Sequence, residues 1–408
     1  MNVEVINTGS EILLGNVLNT HVATLARGLF PLGLRIDRQI TVPDGDAIGE
    51  ALSVALGRAD VVLVTGGLGP TTDDITRELT AKLLDRPLHF DAEVMATIAA
   101  RFAKRNFVLT DRIGRQAQVP EGALVLPNDN GTAPGLYLKH EYGGRTVHVF
   151  LLPGPPRELT PMFHDSVLPI LEKLIPGGEV NECRTYHVLG LGESNVEALV
   201  GERLLAIPGL ELGYCARPGE VDVRCIGTKE VVEVAEKIIL EALGESIATR
   251  DGVNVEQAVV AALTRRGETL ATAESCTGGG IANRVTNVSG ASAVFLAGFV
   301  TYANEAKSRD LSVPAELIAA NGAVSEPVAR AMAEGALLRA GTDWALSTTG
   351  VAGPTGGTPA KPVGTVFIAL ARKNGPTEVQ EHHLVRERDI FKDITARTAL
   401  ALLLKALE

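Results

Sequence analysis

One local design recurs along this chain and limits what it can fold into: a short apolar run stopped by glycine, then a stretch with helical spacing. "VEVINTG" (3–9) and "DVVLVTGG" (60–67) are two such runs. A strand buried on both faces of a parallel sheet reads as a near-continuous apolar run. Between these two runs, Leu18, Val22, Leu25, Ala26 and Leu29 recur at the spacing of one helix face. "VHVFLLPGPP" (147–156) is a further strand, stopped by prolines. Strands alternating with helices predict an α/β fold, with parallel sheets and right-handed crossovers.

The same logic divides the 408 residues into three segments. The first covers 1–170. The second, 171–250, holds "RTYHVLGLGE", the alternating "EVDVRCIG" and the helical "KEVVEVAEKIILEAL". It is small and βαβ-like, has no reactive cluster, and reads as a connecting or dimer-forming module. The third, 251–408, alternates again: a helix over 254–265, the strand "TLATAES", a helix from the glycines that follow, a helix around 326–340, the strands "DWALSTTG" and "GTVFIALA", and a closing helix from about 389. It is long enough to fold alone.

Composition narrows the function classes. The formal net charge is −11 and there is no Lys/Arg stripe, which argues against direct nucleic-acid binding through phosphate neutralisation. Four cysteines without CxxC spacing argue against a zinc ribbon or a disulfide framework and fit the reducing cytoplasm. No run approaches the length of a membrane span, and the N-terminus does not read as a signal peptide.

"GGLGPTTDD" (66–74) is the first motif that carries chemistry. A strand ending at Thr65 delivers Gly66, Gly67, Gly69 and Thr71 to the edge of a parallel sheet where ligands gather. Glycines let backbone N–H groups approach a phosphate. Asp73 and Asp74 suit such a place if a divalent cation lies between them and the phosphates, and Asp44, after "RIDRQITV", reaches the same edge. The plainer reading is a turn with an aspartate helix cap. "NDNGTAPG" (128–135) and "LPGPPREL" (152–159) are expected to face the same way, which favours a nucleotide or pterin pocket.

"TLATAESCTGGG" (269–280) is the second. Ser275 stands between an apolar strand and a glycine-rich helix start, where the N–H groups of Cys276, Thr277, Gly278 and Gly279 can stabilise an oxyanion. A serine nucleophile needs a base, and no Ser-His-Asp set is evident; His382 and His383 lie in a polar, solvated stretch. Lys307 in "VTYANEAK" is the best candidate, because a desolvated lysine loses its proton readily. Tyr302 could orient it or relay a proton. Thr348 and Thr349 end a further strand, and Glu274 either holds the turn or binds substrate. The plain alternatives are Ser275 as a helix cap, Lys307 as a surface lysine and Cys276 as a buried filler, with Cys276 as nucleophile a rival. Arg386, Arg388 and Lys392 hold a substrate phosphate or decorate the surface.

Taken in order, "NTGSEILLGNVLNT", "TGGLGPTTDDITRE", "NDNGTAPG", "LLPGPPRELTPMF", "AESCTGGG", "VTYANEAK", "GAVSEPVARAMAEGA", "TTGVAGPTGG" and "KPVGTVFIAL" resemble the CinA, or competence/damage-inducible, family over nearly the whole chain. The resemblance implies a MoaB/MogA-like, molybdopterin-binding-like domain over 1–170, associated with metal-dependent ADP-ribose pyrophosphatase activity. Asp44 and Asp74, with Asp73 adjacent, are the implied ligands of a divalent ion (Mg, Mn or Co). It implies a KH-like module over 171–250. Over 251–408 it implies a nicotinamide mononucleotide amidohydrolase with a Ser275/Lys307 pair, a site lined by Tyr302 and Thr349, and no cofactor. A homodimer is implied as well. The family commonly has a second arginine in the run that opens the last helix; "RDIFK" keeps Arg388 and has Lys392 there, a point charge instead of a planar fork. Two alternatives stand beside this bifunctional reading: an N-terminal module that binds a pterin or nucleotide without hydrolysis, and a competence-linked interaction scaffold.

Overall fold

A computed structural model describes residues 1–104, 111–175 and 181–408. The chain forms two compact units, Met1–Asn181 and Glu182–Glu408.

In the first unit, Val3–Thr8 pairs in parallel with Ile36–Val42 on one side and Val61–Thr65 on the other. Val61–Thr65 in turn pairs in parallel with Arg145–Leu152. The apolar runs supply both faces of this sheet. Val62 and Val64 enter one core with Ile48 and Leu52 of the helix Ala47–Leu56, whereas Val61 and Leu63 enter the other with Leu25 and Leu29 of the helix His21–Leu29. Leu18 is not part of that helix and is 87% exposed. The sheet is not wholly parallel as the strand–helix alternation predicted. Gly135–Tyr142 and Leu124–Leu126 join one edge antiparallel, through a hairpin at the double glycine Gly143–Gly144.

The second unit holds two sheets. In the smaller one, Glu182–Leu189 and Glu211–Arg217 flank Glu220–Gly227, each antiparallel to it. The βαβ expected here is therefore a split one, its two strands parallel to each other with a third between them. The helices Glu193–Leu205 and Lys229–Leu243 pack Val196, Val200, Ile239 and Leu243 on Tyr186, Val188 and Val223.

In the larger, five-stranded sheet Leu270–Glu274 lies between Phe295–Val300 and the central Trp344–Gly350, parallel to both. Thr365–Arg372 and Glu378–His383 extend it antiparallel. That last strand carries His382 and His383; His383 is exposed as expected, whereas His382 is half-buried and burial lowers its pKa. Helices cover both faces: Val255–Arg266 and Arg388–Leu407 on one, Glu326–Ala340 on the other. The three parallel strands end level with one another, Glu274 opposite Val300 and Thr348, so Ser275, Thr301 and Thr349 follow at one edge.

Candidate functional sites

At that edge, Lys307 and Ser275 meet. Lys307 lies in the first turn of the helix Asn304–Leu311 and is only 1% exposed. Its Nζ donates to Thr301 O at 2.8 Å, to Ser275 Oγ at 3.1 Å and to Tyr302 O at 3.3 Å. Burial pushes its pKa below the ordinary lysine value; the charge of Glu305 works the other way and is smaller. An amine ringed by carbonyls in a dry place releases its proton at a lower pH than a surface lysine.

Ser275 is fixed by its backbone, whose N–H donates to Thr348 O at 2.9 Å. The turn after it needs glycine: Gly278 and Gly279 have φ of 62° and 94°. Of the four N–H groups expected to face an oxyanion, that of Gly278 donates instead to Ser275 O at 3.2 Å, inside the turn. The N–H groups of Cys276, Thr277 and Gly279 have no backbone carbonyl partner outside regular helix and strand bonds among the described residues, and those of Cys276 and Thr277 reach the Cys276 thiol.

The neighbouring side chains divide by orientation. Glu274 is fully buried, and its carboxylate accepts the N–H of Ile281 at 3.0 Å and of Ala282 at 2.8 Å. It holds the turn and is not aimed at a substrate. Cys276 is buried in the core, which pushes its thiol up to about 12, so the rival nucleophile is protonated at neutral pH. Thr277 and Thr348 share a hydrogen bond of 2.7 Å between hydroxyls, and Thr349 Oγ1 donates to Ala323 O at 2.8 Å. These three threonines shape the floor.

The Tyr302 ring is 61% exposed, and its hydroxyl accepts from Arg388 Nη2 at 2.8 Å. Tyr302 meets Lys307 through its carbonyl alone, so a phenol relay to the amine is not formed. Arg388 also donates to Gly353 O at 2.9 Å. Lys392 Nζ lies 3.5 Å from where a Cβ on Gly278 would stand. Lys392 thus borders the serine turn, and Arg388, one turn earlier on the same helix, reaches Tyr302 and the loop at Gly353. Thr301 was missed from the sequence, although its carbonyl anchors Lys307 and its own Oγ1 is buried without a partner. Its signal is its place, the first residue past an apolar strand, like Ser275.

In the first unit the glycine loops do converge. Gly66 N–H donates to Leu152 O at 2.9 Å, and Gly154 lies against the Gly66 Cα. A side chain at Gly66 would meet Thr8 Oγ1 at 2.5 Å, and one at Gly67 would meet Thr76 Oγ1 at 2.0 Å. Below them a buried chain runs from His21 Nδ1 to Thr65 Oγ1 (3.1 Å) and on to Asn7 Oδ1 (3.1 Å). The "NDNG" loop joins at Asn128, whose Nδ2 donates to Glu158 Oε2 at 2.8 Å, beside a cavity of about 260 Å³ lined by Arg101, Asp129, Gly131 and Thr132.

The three aspartates do not fit a preformed metal cage. Asp44 Oδ2 accepts from Ser10 N at 3.1 Å and from its Oγ at 3.2 Å. Asp74 packs on Gly69 and accepts the N–H and hydroxyl of Thr71. Asp73 is exposed, its pKa lowered by Thr71. Asp73 and Asp74 serve the turn around Thr71, as the plainer reading had it, but neither caps the helix Thr76–Leu83, and Asp44 ties its loop to Ser10. Among the described residues the one gathered set of three such groups lies elsewhere, at His187, Glu220 and Asp222.

Comparison with known proteins agrees with the division into α/β parts. Residues 4–173 match the family described as "Probable molybdopterin binding domain", and residues 253–407 match the CinA C-terminal domain. A CinA-like protein of Akkermansia muciniphila is 46% identical over 406 residues, covering 100% of this chain and 97% of its own. The chain belongs to the CinA family. A second CinA-like relative, from Kosmotoga olearia, is 40% identical over 100% of this chain and 99% of its own. A crystal structure of competence/damage inducible protein CihA from Agrobacterium tumefaciens is 42% identical, covers 38% of this chain and 94% of its own, and has a TM-score of 0.36. This CinA family member has a MoaB/MogA-like domain followed by a CinA C-terminal domain. No described helix is long and apolar enough to cross a membrane.

Proposed function

We propose that the C-terminal domain is an amidase that converts nicotinamide mononucleotide to nicotinic acid mononucleotide and ammonia. The observation that carries this reading is the 3.1 Å contact between Lys307 Nζ and Ser275 Oγ, with the amine buried. Neutral Lys307 takes the Ser275 proton as Oγ attacks the carboxamide carbon. The tetrahedral oxyanion is held by turn N–H groups, for which that of Gly279 and, in place of their weak bonds to the Cys276 thiol, those of Cys276 and Thr277 are the candidates. Protonated Lys307 then gives its proton to the departing ammonia, and water, activated by the same amine, releases the acid. Arg388 and Lys392 supply positive charge for the mononucleotide phosphate. Ser275→Ala is expected to lower ammonia release by at least roughly 10³-fold, with products resolved by mass. Near-normal release from that variant ends the reading.

For the N-terminal domain we propose a site that takes a nucleotide pyrophosphate such as ADP-ribose at the Gly66–Gly67 turn. The support is the meeting of three glycine-bearing loops at one sheet edge. A divalent ion there would supply charge neutralisation for the pyrophosphate, and Asp44, Asp73 and Asp74 are the carboxylates that would hold it in place of their present hydrogen bonds. Incubation with ADP-ribose, with and without divalent metal, is the test. Hydrolysis in metal-stripped protein refutes the metal requirement, and tight binding without turnover favours a binding module.

A further inference from the structure

We infer that Asp393 and Glu220 are positioning residues of the Ser275 site, through which the split-βαβ module sets the place of the last helix against the serine turn. This rests on the amidase reading and adds to it a role for the module that carries the His187, Glu220 and Asp222 set, against the expectation that this segment holds no reactive cluster.

The inference begins with one carboxylate between two helices. Asp393 Oδ1 accepts from Arg284 Nη2, on the helix Gly280–Thr286 that follows the serine turn. Its Oδ2 accepts from Arg397 Nη2 at 2.7 Å, one turn further along its own helix. Arg284 is held in addition by Glu256 Oε1 at 3.1 Å. Arg397 reaches into the neighbouring sheet: Nη1 donates to Glu220 Oε2 and Nη2 to Pro218 O at 2.6 Å. Glu220 Oε1 and Asp222 Oδ1 both face His187 Nδ1, at 3.2 and 2.5 Å, and Arg217 closes the set on Asp222. The hairpin tip is pressed on the same helix. Gly219 has φ 74°, and a side chain there would come within 2.7 Å of Ile394 Cγ1.

Lys392, next to Asp393, is the group beside Gly278, and Arg388 opens the same helix. The other parts of the site are anchored separately. Lys307 hangs on Thr301 and Tyr302 carbonyls, and Glu274 ties the serine turn's helix to the sheet. Loosening Asp393 therefore moves the phosphate-facing charges relative to Ser275 and leaves the Ser–Lys pair in place. The expected signature is weaker substrate binding with unimpaired chemistry. A cavity of about 550 Å³ lines the network, so its charges are partly wet and a neutral isostere is tolerated without collapse.

The test uses the full chain with Asp393→Asn, Glu220→Gln and Asp393→Glu. Both amides should raise KM for nicotinamide mononucleotide at least about five-fold, with kcat within about two-fold of wild type; Asp393→Glu should recover most of the loss. Calorimetric binding of the same nucleotide in a Ser275→Ala background should weaken by a matching factor. The inference is overturned if KM and affinity stay within two-fold in both amides, or if kcat falls together with Tm at constant KM. If wild type binds the nucleotide without releasing ammonia, the amidase reading fails, while the affinity ratio still decides the positioning role. If wild type does not bind it at all, both are overturned.

Discussion

Lys307→Met separates catalysis from stability at a single buried position. Methionine keeps most of the length and volume of the lysine stem, so packing changes little. The amine's hydrogen bond to Thr301 O, 2.8 Å long, is lost; a buried carbonyl left unpaired costs about 1–3 kcal/mol. The Tyr302 carbonyl is longer-bonded and belongs to an exposed residue, so water replaces the amine there. Against this loss stands relief from burying a group whose protonated form burial disfavours. The two oppose, and the net change should stay within about 2 kcal/mol, a Tm shift of at most roughly 8 °C. Chemistry has no such compensation. Removing the base from Ser275 should lower kcat/KM for amide release by at least about 10³-fold, or about 4 kcal/mol of transition-state stabilisation. Calorimetric Tm and ammonia release measured side by side decide the matter. A variant retaining more than a tenth of wild-type activity refutes Lys307 as the base.

The same pair of proteins carries a pH signature. Unfolded lysine titrates near 10.5 and folded Lys307 lower, so between those values the unfolded chain binds more protons. Stability contributed at this position therefore rises with pH across that window, opposite to a lysine stabilised by a carboxylate. The stability difference between wild type and Lys307→Met should grow in favour of wild type as pH is raised from 7 toward 10, and kcat/KM of wild type should climb through the same depressed pKa. A flat difference would mean that the amine titrates as a surface lysine does.

Three further outcomes follow from the geometry. Cys276→Ala should keep amidase activity within about three-fold, and iodoacetamide should not inactivate wild type, because a thiol pushed up to about 12 carries almost no thiolate at neutral pH. Gly67→Ala, at φ 67° and with its Cβ 2.0 Å from Thr76 Oγ1, should destabilise the N-terminal unit by about 2 kcal/mol or more in urea unfolding; an unchanged midpoint contradicts the close approach. Glu220, held at about 2 first by its hydrogen bond to His187 and then by Arg397, contributes stability present above the ordinary 4.5 and lost as pH falls toward 2. His187 is raised above 6.5, chiefly by Glu220, so its share is full below 6.5 and fades as pH rises through the raised value. The stability gap between wild type and Glu220→Gln should accordingly be widest between about pH 4.5 and 6.5 and shrink on both sides.

The parallel strands were legible because burial on both faces leaves an unmistakable apolar run, and their ends gave Ser275 and Lys307 a common edge although they are 32 residues apart. The antiparallel strands were legible only in part: "GTVFIALA" read as a strand, and the edge strand after it did not. "EVQEHH" (378–383) lies at a sheet edge with alternate residues in water, so its polarity read as a solvated loop. Side-chain direction was equally hidden. Tyr302 precedes Lys307 by one and a half helical turns, yet it sits outside the helix and its phenol leaves the amine for Arg388. Asp73 and Asp74 are adjacent, but adjacency says nothing about convergence, and Thr71 holds both away from any shared centre. The Arg284–Asp393–Arg397–Glu220 chain joins positions more than 100 residues apart, with no local pattern to announce it.

One of these hidden orientations makes the lysine usable as a base. Glu274 immediately precedes Ser275 and is fully buried, so a rotation toward Lys307 would create a close ion pair in a dry site. That pair would hold the amine protonated through neutral pH and leave nothing to accept the serine proton. The fold prevents it by satisfying the carboxylate elsewhere, on the N–H groups of Ile281 and Ala282, while the amine is met by neutral carbonyls. Desolvation is the largest influence on Lys307. The glycines of the turn serve the same end, because they let the chain reverse tightly enough for those two N–H groups to reach back to the strand end. Burial of the amine thus lowers its basicity while the turn N–H groups keep the Glu274 carboxylate occupied.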